Sequence, residues 1–272
     1  MKPEQVAAEV LAVAPESLTA TRVKGGLTNE SWCVQSAHDA VVVRISTVDE
    51  HALQLNRYSE VEVLSLVQQH GIGAEVLLCA PERRLLVTRK LPAETLDPET
   101  MRNAATIYKL ARLLRRLHAL PAPASVQQVD LPAVLLGYWQ SLDEQAQPLG
   151  WPLGNDAEAR RHAMSIALES AQSVMRCLCH NDVHHLNLMS DGERLWLLDW
   201  EYAGIGDPLF DLAAVCCYHG YDTALREQLL LAYFERLDAA DSERLLRMCW
   251  LFDYIRDLWF AVRRLETESI LV

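Results

Sequence analysis

Residues 179–204, CHNDVHHLNLMSDGERLWLLDWEYAG, constrain this chain more than any other stretch. Two short apolar runs, 188–189 and 195–198, are separated by Asp191-Gly192 and flanked by the oxygen-bearing side chains of Asp182, Asn187, Asp199 and Glu201. An Asp-Gly pair between apolar runs is a hairpin signal. Folding the second run back on the first brings Asn187 and Asp199 to the same open end of the ladder. An amide oxygen and a carboxylate at one place suit a hard cation such as magnesium, which binds through one or two carboxylates plus substrate phosphates, better than a thiolate or imidazole set would. Asp182, five positions before Asn187, faces the same opening without needing to be a ligand. That makes it the natural general base, or orienting group, for a substrate hydroxyl.

The rest of the chain divides by periodicity. SWCV (31–34) and AVVVRI (40–45) are runs of strand length joined across a polar AHD turn and predict antiparallel neighbours; RRLLVTR (83–89) predicts a further strand. Between them the apolar residues of 55–69 fall at helical spacing and end at Gly71, giving a small, mostly β unit with one helix. From residue 101 the pattern is helical, with Ile107, Leu110, Leu114 and Leu117 on one stripe ended by Pro121 and Pro123. The stretch 121–155 reads as a connection or a variable insertion around the short segment AVLLGYW, and helices return over 157–175 and from 222 onward. The expected organisation is α+β, with a β-rich lobe over 1–90 and a mainly helical lobe over 91–272.

Twenty-five basic residues against thirty-seven acidic ones give a net charge of −12, which argues against nucleic acid as a partner, because phosphate backbones need a basic face. A local nucleotide pocket is not excluded. No apolar run approaches the ~20 residues that cross a bilayer, and Glu4 and Glu9 interrupt the first segment, so a cytoplasmic location is expected. The seven cysteines show no repeated C-x-x-C and read as reduced thiols. His180, His184 and His185 lie beside Asp182, but the other histidines offer no second pair at ligand spacing, so zinc chemistry is not expected.

Two helices carry further signals. Glu60 shares a stripe with Val63, Leu64 and Val67, and a buried carboxylate needs a partner, for which Arg44 is the obvious choice; Glu62 shares its face with Gln69 and reads as solvated. In the last helix Trp250, Asp253, Tyr254 and Asp257 fall on one face, opposite Phe252, Ile255, Trp259 and Val262. Two readings stand. Either the first face, completed by Tyr202 and Tyr218, is a cage attracting a quaternary or protonated amine, or Trp250 and Tyr254 pack on another helix and the acids are solvated.

H-N-D-x-x-x-x-N (His180, Asn181, Asp182, Asn187), followed by Asp-Trp-Glu at 199–201, resembles the catalytic loop and metal segment of the protein-kinase-like small-molecule kinases. These include choline and ethanolamine kinases, thiamine kinases and aminoglycoside phosphotransferases. Further matches follow in order: GGLTNESW (25–32) resembles the nucleotide-covering turn, Arg44 holds the strand position of the phosphate-contacting cation, Glu60 that of its helix partner, and IGDPLFDLAA (205–214) continues the pattern. The resemblance implies a two-lobed protein-kinase-like fold that uses ATP and Mg2+. It places adenine near Thr88 and Leu91, and phosphates under Gly25, Gly26, Leu27, Thr28 and Asn29 and beside Arg44. Metal falls on Asn187 and Asp199, the base is Asp182, and His180 braces the loop. Glu201 is either a metal-side group or a contact to the acceptor's positive charge. Arg44 departs from the lysine of protein kinases, which points to the choline-kinase-like branch, and GGLTNESW lacks the full G-x-G-x-x-G. The implied acceptor is a small cationic alcohol, choline or ethanolamine, with thiamine as the rival that DWEYAG favours. An aminoglycoside or other sugar ranks third, and a non-catalytic nucleotide-binding regulator is the alternative of a different class.

Overall fold

The computed structural model describes residues 2–23, 29–47, 55–144, 157–173 and 175–270. In chain order the elements are α1 (Pro3–Leu11), β1 (Thr19–Arg22), β2 (Asn29–Gln35), β3 (Ala40–Ser46), α2 (Arg57–Gln69), β4 (Val76–Ala80), β5 (Leu85–Arg89) and β6 (Glu94–Thr95). They continue as α3 (Ala104–His118), α4 (Leu131–Glu144), α5 (Ala157–Ala171), β7 (Cys177–Cys179), β8 (Leu188–Ser190), β9 (Leu195–Leu197), β10 (Gly204–Gly206), α6 (Pro208–Tyr218), α7 (Thr223–Phe234) and α8 (Ala239–Ile270). The chain forms two compact units: Met1–Asp97 with Pro123–Val126 and His185–Tyr202, and Pro98–Ala122 with Gln127–His184 and Ala203–Val272.

The first unit is an antiparallel sheet in the order β1-β2-β3-β5-β4. The AHD turn sets β2 against β3 in the expected pairing, with Val34 opposite Val41. Val34, Val41, Val43 and Val87 are fully buried on one face, against Val6, Ala7 and Ala8 of α1. That helix was not expected: it carries only one large apolar residue in its buried stripe, and alanines give a weak periodic signal. On α2, Asn56 caps the start by accepting from the Ser59 amide at 3.1 Å. The β8–β9 hairpin forms as the Asp-Gly signal predicts, pairing Leu188 with Leu197, and gains a third strand in β6. Pairing with β6, and a bond from the Leu197 amide to the Ile72 carbonyl at 2.9 Å, explain why residues 185–202 group with the sheet although they follow the helices in sequence.

The second unit is helical apart from the short β7–β10 ladder, in which Gly204 lies opposite Cys179. A Cβ at Gly204 would meet the Gln127 carbonyl at 2.8 Å, so the close approach requires glycine. Two elements correct the sequence reading. The stretch read as a connection contains α4, fourteen residues with Leu131, Leu135, Tyr138, Trp139 and Leu142 buried. Helix α6 is buried from Pro208 to Cys216 and so has no polar face from which a helical period could be read. Asp207 caps it by accepting from the Leu209 amide at 3.0 Å. Among the described residues no helix is long and apolar enough to cross a membrane.

Candidate active site

In the first unit the chemistry gathers around Arg44, on the central strand β3. Its Nη2 donates to Glu60 Oε1 at 2.6 Å and its Nη1 to Asp199 Oδ1 at 2.7 Å. Sequence reasoning missed a second cation, Arg57, the first residue of α2. Its Nη1 donates to Glu60 Oε2 and to Glu201 Oε2, both at 2.9 Å, and its Nη2 to the Ser46 hydroxyl. Asn29 donates to Glu201 Oε2 at 2.9 Å and accepts from Ser46 Oγ at 2.9 Å. The signal was present in the i, i+3 spacing of Arg57 and Glu60.

Burial works against each of these charges, and partners outweigh it. Burial lowers the Arg44 guanidinium, yet Glu60, Asp199 and Glu201 raise it above its usual value. Burial would raise the Glu60 carboxyl, but Arg44 and Arg57 hold it below the usual carboxylate range. Glu201 is only 3% exposed and its Oε2 is committed to Arg57 and Asn29. An acceptor's positive charge would have to compete there with Arg57.

Asn187 and Asp199 emerge beyond the same end of the β8–β9 ladder, because the Leu198 amide donates to the Asn187 carbonyl at 2.9 Å. Asn187 is buried; Asp199 has a left-handed backbone (φ 62°), and its side chain is one-third exposed. An amide oxygen and a carboxylate are hard donors and fit a magnesium ion. Thr88 lies in β5 opposite Val42 and Val76, and Leu91 follows that strand half-buried, as is Tyr202. Gly25, Gly26, Leu27 and Thr28 lie outside the described residues.

In the second unit Asp211, fully buried on α6, clamps the loop after β7. Its Oδ2 accepts from the His180 amide at 2.9 Å and its Oδ1 from the Asn181 amide at 2.6 Å, and His118 Nε2 lies 2.9 Å from Oδ2. The clamp holds Asn181 in the left-handed region (φ 68°). The Asp182 amide donates to His180 Nδ1 at 3.3 Å. Asp182 Oδ1 accepts from the Tyr218 hydroxyl at 2.9 Å, and His184 Nε2 is 3.4 Å from Oδ2. Burial alone would raise the Asp182 carboxyl, but His184, His180 and Tyr218 hold it below its usual range. The Tyr218 phenol is pushed up by burial and by Asp182.

Helix α8 meets Tyr218 through Phe252 and Arg256. Phe252 lies 5.4 Å from the Tyr218 ring, and the Arg256 guanidinium sits 5.6 Å over the same ring while pairing with Asp253 at 2.8 Å. Trp250 and Tyr254 take the packing alternative. They stack at 5.3 Å, Trp250 meets His162 of α5 at 4.4 Å, and Tyr254 Oη accepts from Trp139 Nε1 of α4 at 3.1 Å.

These features define a phosphotransferase, and the chain belongs to the phosphotransferase enzyme family, whose model matches residues 19–246. Among the proteins it is similar to are kinases named for thiamine and for choline. A thiamine kinase of Escherichia coli O17:K52:H18 is 27% identical over 202 residues, 74% of this chain and 67% of that one. The choline kinase LicA structure from Streptococcus pneumoniae superposes with a TM-score of 0.79 at 24% identity, covering 97% of this chain and 91% of that one. A choline/ethanolamine kinase family protein from Mesorhizobium loti gives 0.78 at 25% identity, covering 98% and 88%.

Proposed function

We propose that this kinase transfers the γ-phosphate of ATP to the hydroxyl of a small cationic alcohol, choline or ethanolamine. The observation that carries the reading is Arg44, held charged between Glu60 and Asp199 at 2.6 and 2.7 Å, a preset cation for a triphosphate beside a carboxylate suited to its metal. Asn187 and Asp199 would hold magnesium, which when bound neutralises charge developing on the β- and γ-phosphates. Asp182 accepts the proton of the acceptor hydroxyl as its oxygen bonds to the γ-phosphorus and the bond to the bridging oxygen breaks, releasing ADP. A carboxyl held below its usual range is ionised and ready for that role. His180 and Asp211 position the loop, and neither need touch substrate. The reading includes a cytoplasmic location and no nucleic-acid partner.

Thiamine is the second reading, favoured by the 27% identity to a thiamine kinase. The test is ADP release from Mg-ATP with choline, ethanolamine, thiamine or an aminoglycoside as acceptor. Turnover with choline or ethanolamine supports the proposal, turnover with thiamine alone transfers it to the rival, and nucleotide binding without acceptor-dependent ADP marks a non-catalytic regulator.

A further inference from the structure

Strand β7 places Cys177 and Cys179 on one face, because side chains two apart along a strand point the same way. Their Sγ atoms are 3.9 Å apart. From the end of α3, His118 reaches the same place, and one ligand atom from each of the three lies within 4.8 Å of the others. The pair is not a disulfide, whose sulfurs sit ~2.05 Å apart. Two thiolates each ~2.3 Å from a tetrahedral zinc would be about 3.8 Å apart, so the sulfurs already have ligand spacing, and the imidazole needs to close by about 1 Å.

The surroundings of His118 complete the argument. Its Nε2 faces Asp211 at 2.9 Å and its Nδ1 the Tyr233 hydroxyl at 2.7 Å. Burial, and then Cys177, Cys179 and the nearby Asp211 and Asp207, push the Tyr233 phenol up, so that its hydroxyl is protonated and neutral. A cation on Nδ1 would displace only a neutral phenol. It would leave Asp211 on Nε2–H, the carboxylate–histidine arrangement that orients metal-bound imidazoles. We propose that His118 Nδ1, Cys177 and Cys179 form a site for a thiophilic divalent cation of the zinc and cadmium class, linked through Asp211 to the loop that carries Asp182. Binding exchanges two S–H protons, released to solvent, for two metal–sulfur bonds, with no change of oxidation state. Nothing in this site depends on which acceptor the kinase uses.

The experiment titrates the reduced, chelator-treated protein with Cd2+ or Co2+ and follows thiolate-to-metal charge-transfer absorption and proton release. One equivalent should saturate the band with two protons released. Cys177→Ser, checked for folding by circular dichroism, should weaken binding about 100-fold or more, whereas Cys33→Ser should leave it unchanged. Tyr233→Phe, which removes the hydroxyl competing for Nδ1, should tighten it severalfold. Absence of a saturable one-equivalent band, an unchanged band in folded Cys177→Ser, loss of the band in Cys33→Ser, or weaker binding in Tyr233→Phe would each overturn the assignment.

Discussion

Arg44 and Arg57 repel each other across a buried network, and only the carboxylates among them make the arrangement stable. Removing one partner from a buried pair typically costs about 3–5 kcal/mol, since it strands the other charge. Glu60→Gln should therefore lower stability by about that amount in urea titrations, because Glu60 bridges both guanidiniums. The pH dependence has a definite sign. Glu60 is depressed in the folded state, so its contribution is complete above its ordinary value of 4.5 and is lost as pH falls through the lower folded value. The acid limb of the stability profile should be shallower in Glu60→Gln; a limb as steep as in the wild type would show that Glu60 is not the group titrating. At Asp182 the expectation is kinetic. Asp182→Asn should cut kcat by about 10²–10⁴ with the KM for ATP little changed. Equal loss in nucleotide affinity would move Asp182 from proton transfer to nucleotide binding.

Among the elements, Phe252 and Arg256 on α8 touch the ring that hydrogen-bonds Asp182, whereas Trp250 and Tyr254 pack on α4 and α5. Phe252→Ala and Arg256→Gln should shift the acceptor's kcat/KM by about tenfold, the scale of one ring or cation–π contact. Trp250→Ala should lower the melting temperature and leave the acceptor KM unchanged. Steady-state kinetics with varied acceptor distinguish these outcomes, and a raised KM in Trp250→Ala would restore the aromatic-cage reading. What was legible in the chain follows the same division. The β8–β9 hairpin, the β2–β3 pair and the Glu60 stripe rest on local patterns, a turn dipeptide or an apolar period, and these survive without tertiary context. Helix α6 lacks a polar face, and α1 has alanines where a stripe would show. The Asp211 clamp and the His118–Cys177–Cys179 cluster join residues dozens of positions apart, which no local period records. The two readings of α8 stayed open because both of its faces carry aromatics, and packing decides which one meets Tyr218.

For the molecule as a whole, the residues proposed for nucleotide and metal, Arg44, Asn187 and Asp199, all belong to the first unit, and the proposed base Asp182 to the second. Ligand linkage can separate their roles without knowledge of the acceptor. A ligand at 100 times its Kd adds about 2.7 kcal/mol to the state that binds it. For chains of this size that corresponds to roughly 5–10 °C in melting temperature. Mg-ATP should therefore raise the transition of the wild type by that amount, and ATP with a magnesium chelator by distinctly less. Asp199→Asn should lose the metal-dependent part of the shift, while Asp182→Asn should keep all of it, because a base that touches only the acceptor contributes nothing to the binary complex. Scanning calorimetry or dye-based melting across the four conditions provides the check. A full magnesium-dependent shift surviving in Asp199→Asn would place the metal elsewhere, and with it the catalytic role assigned to the hairpin end.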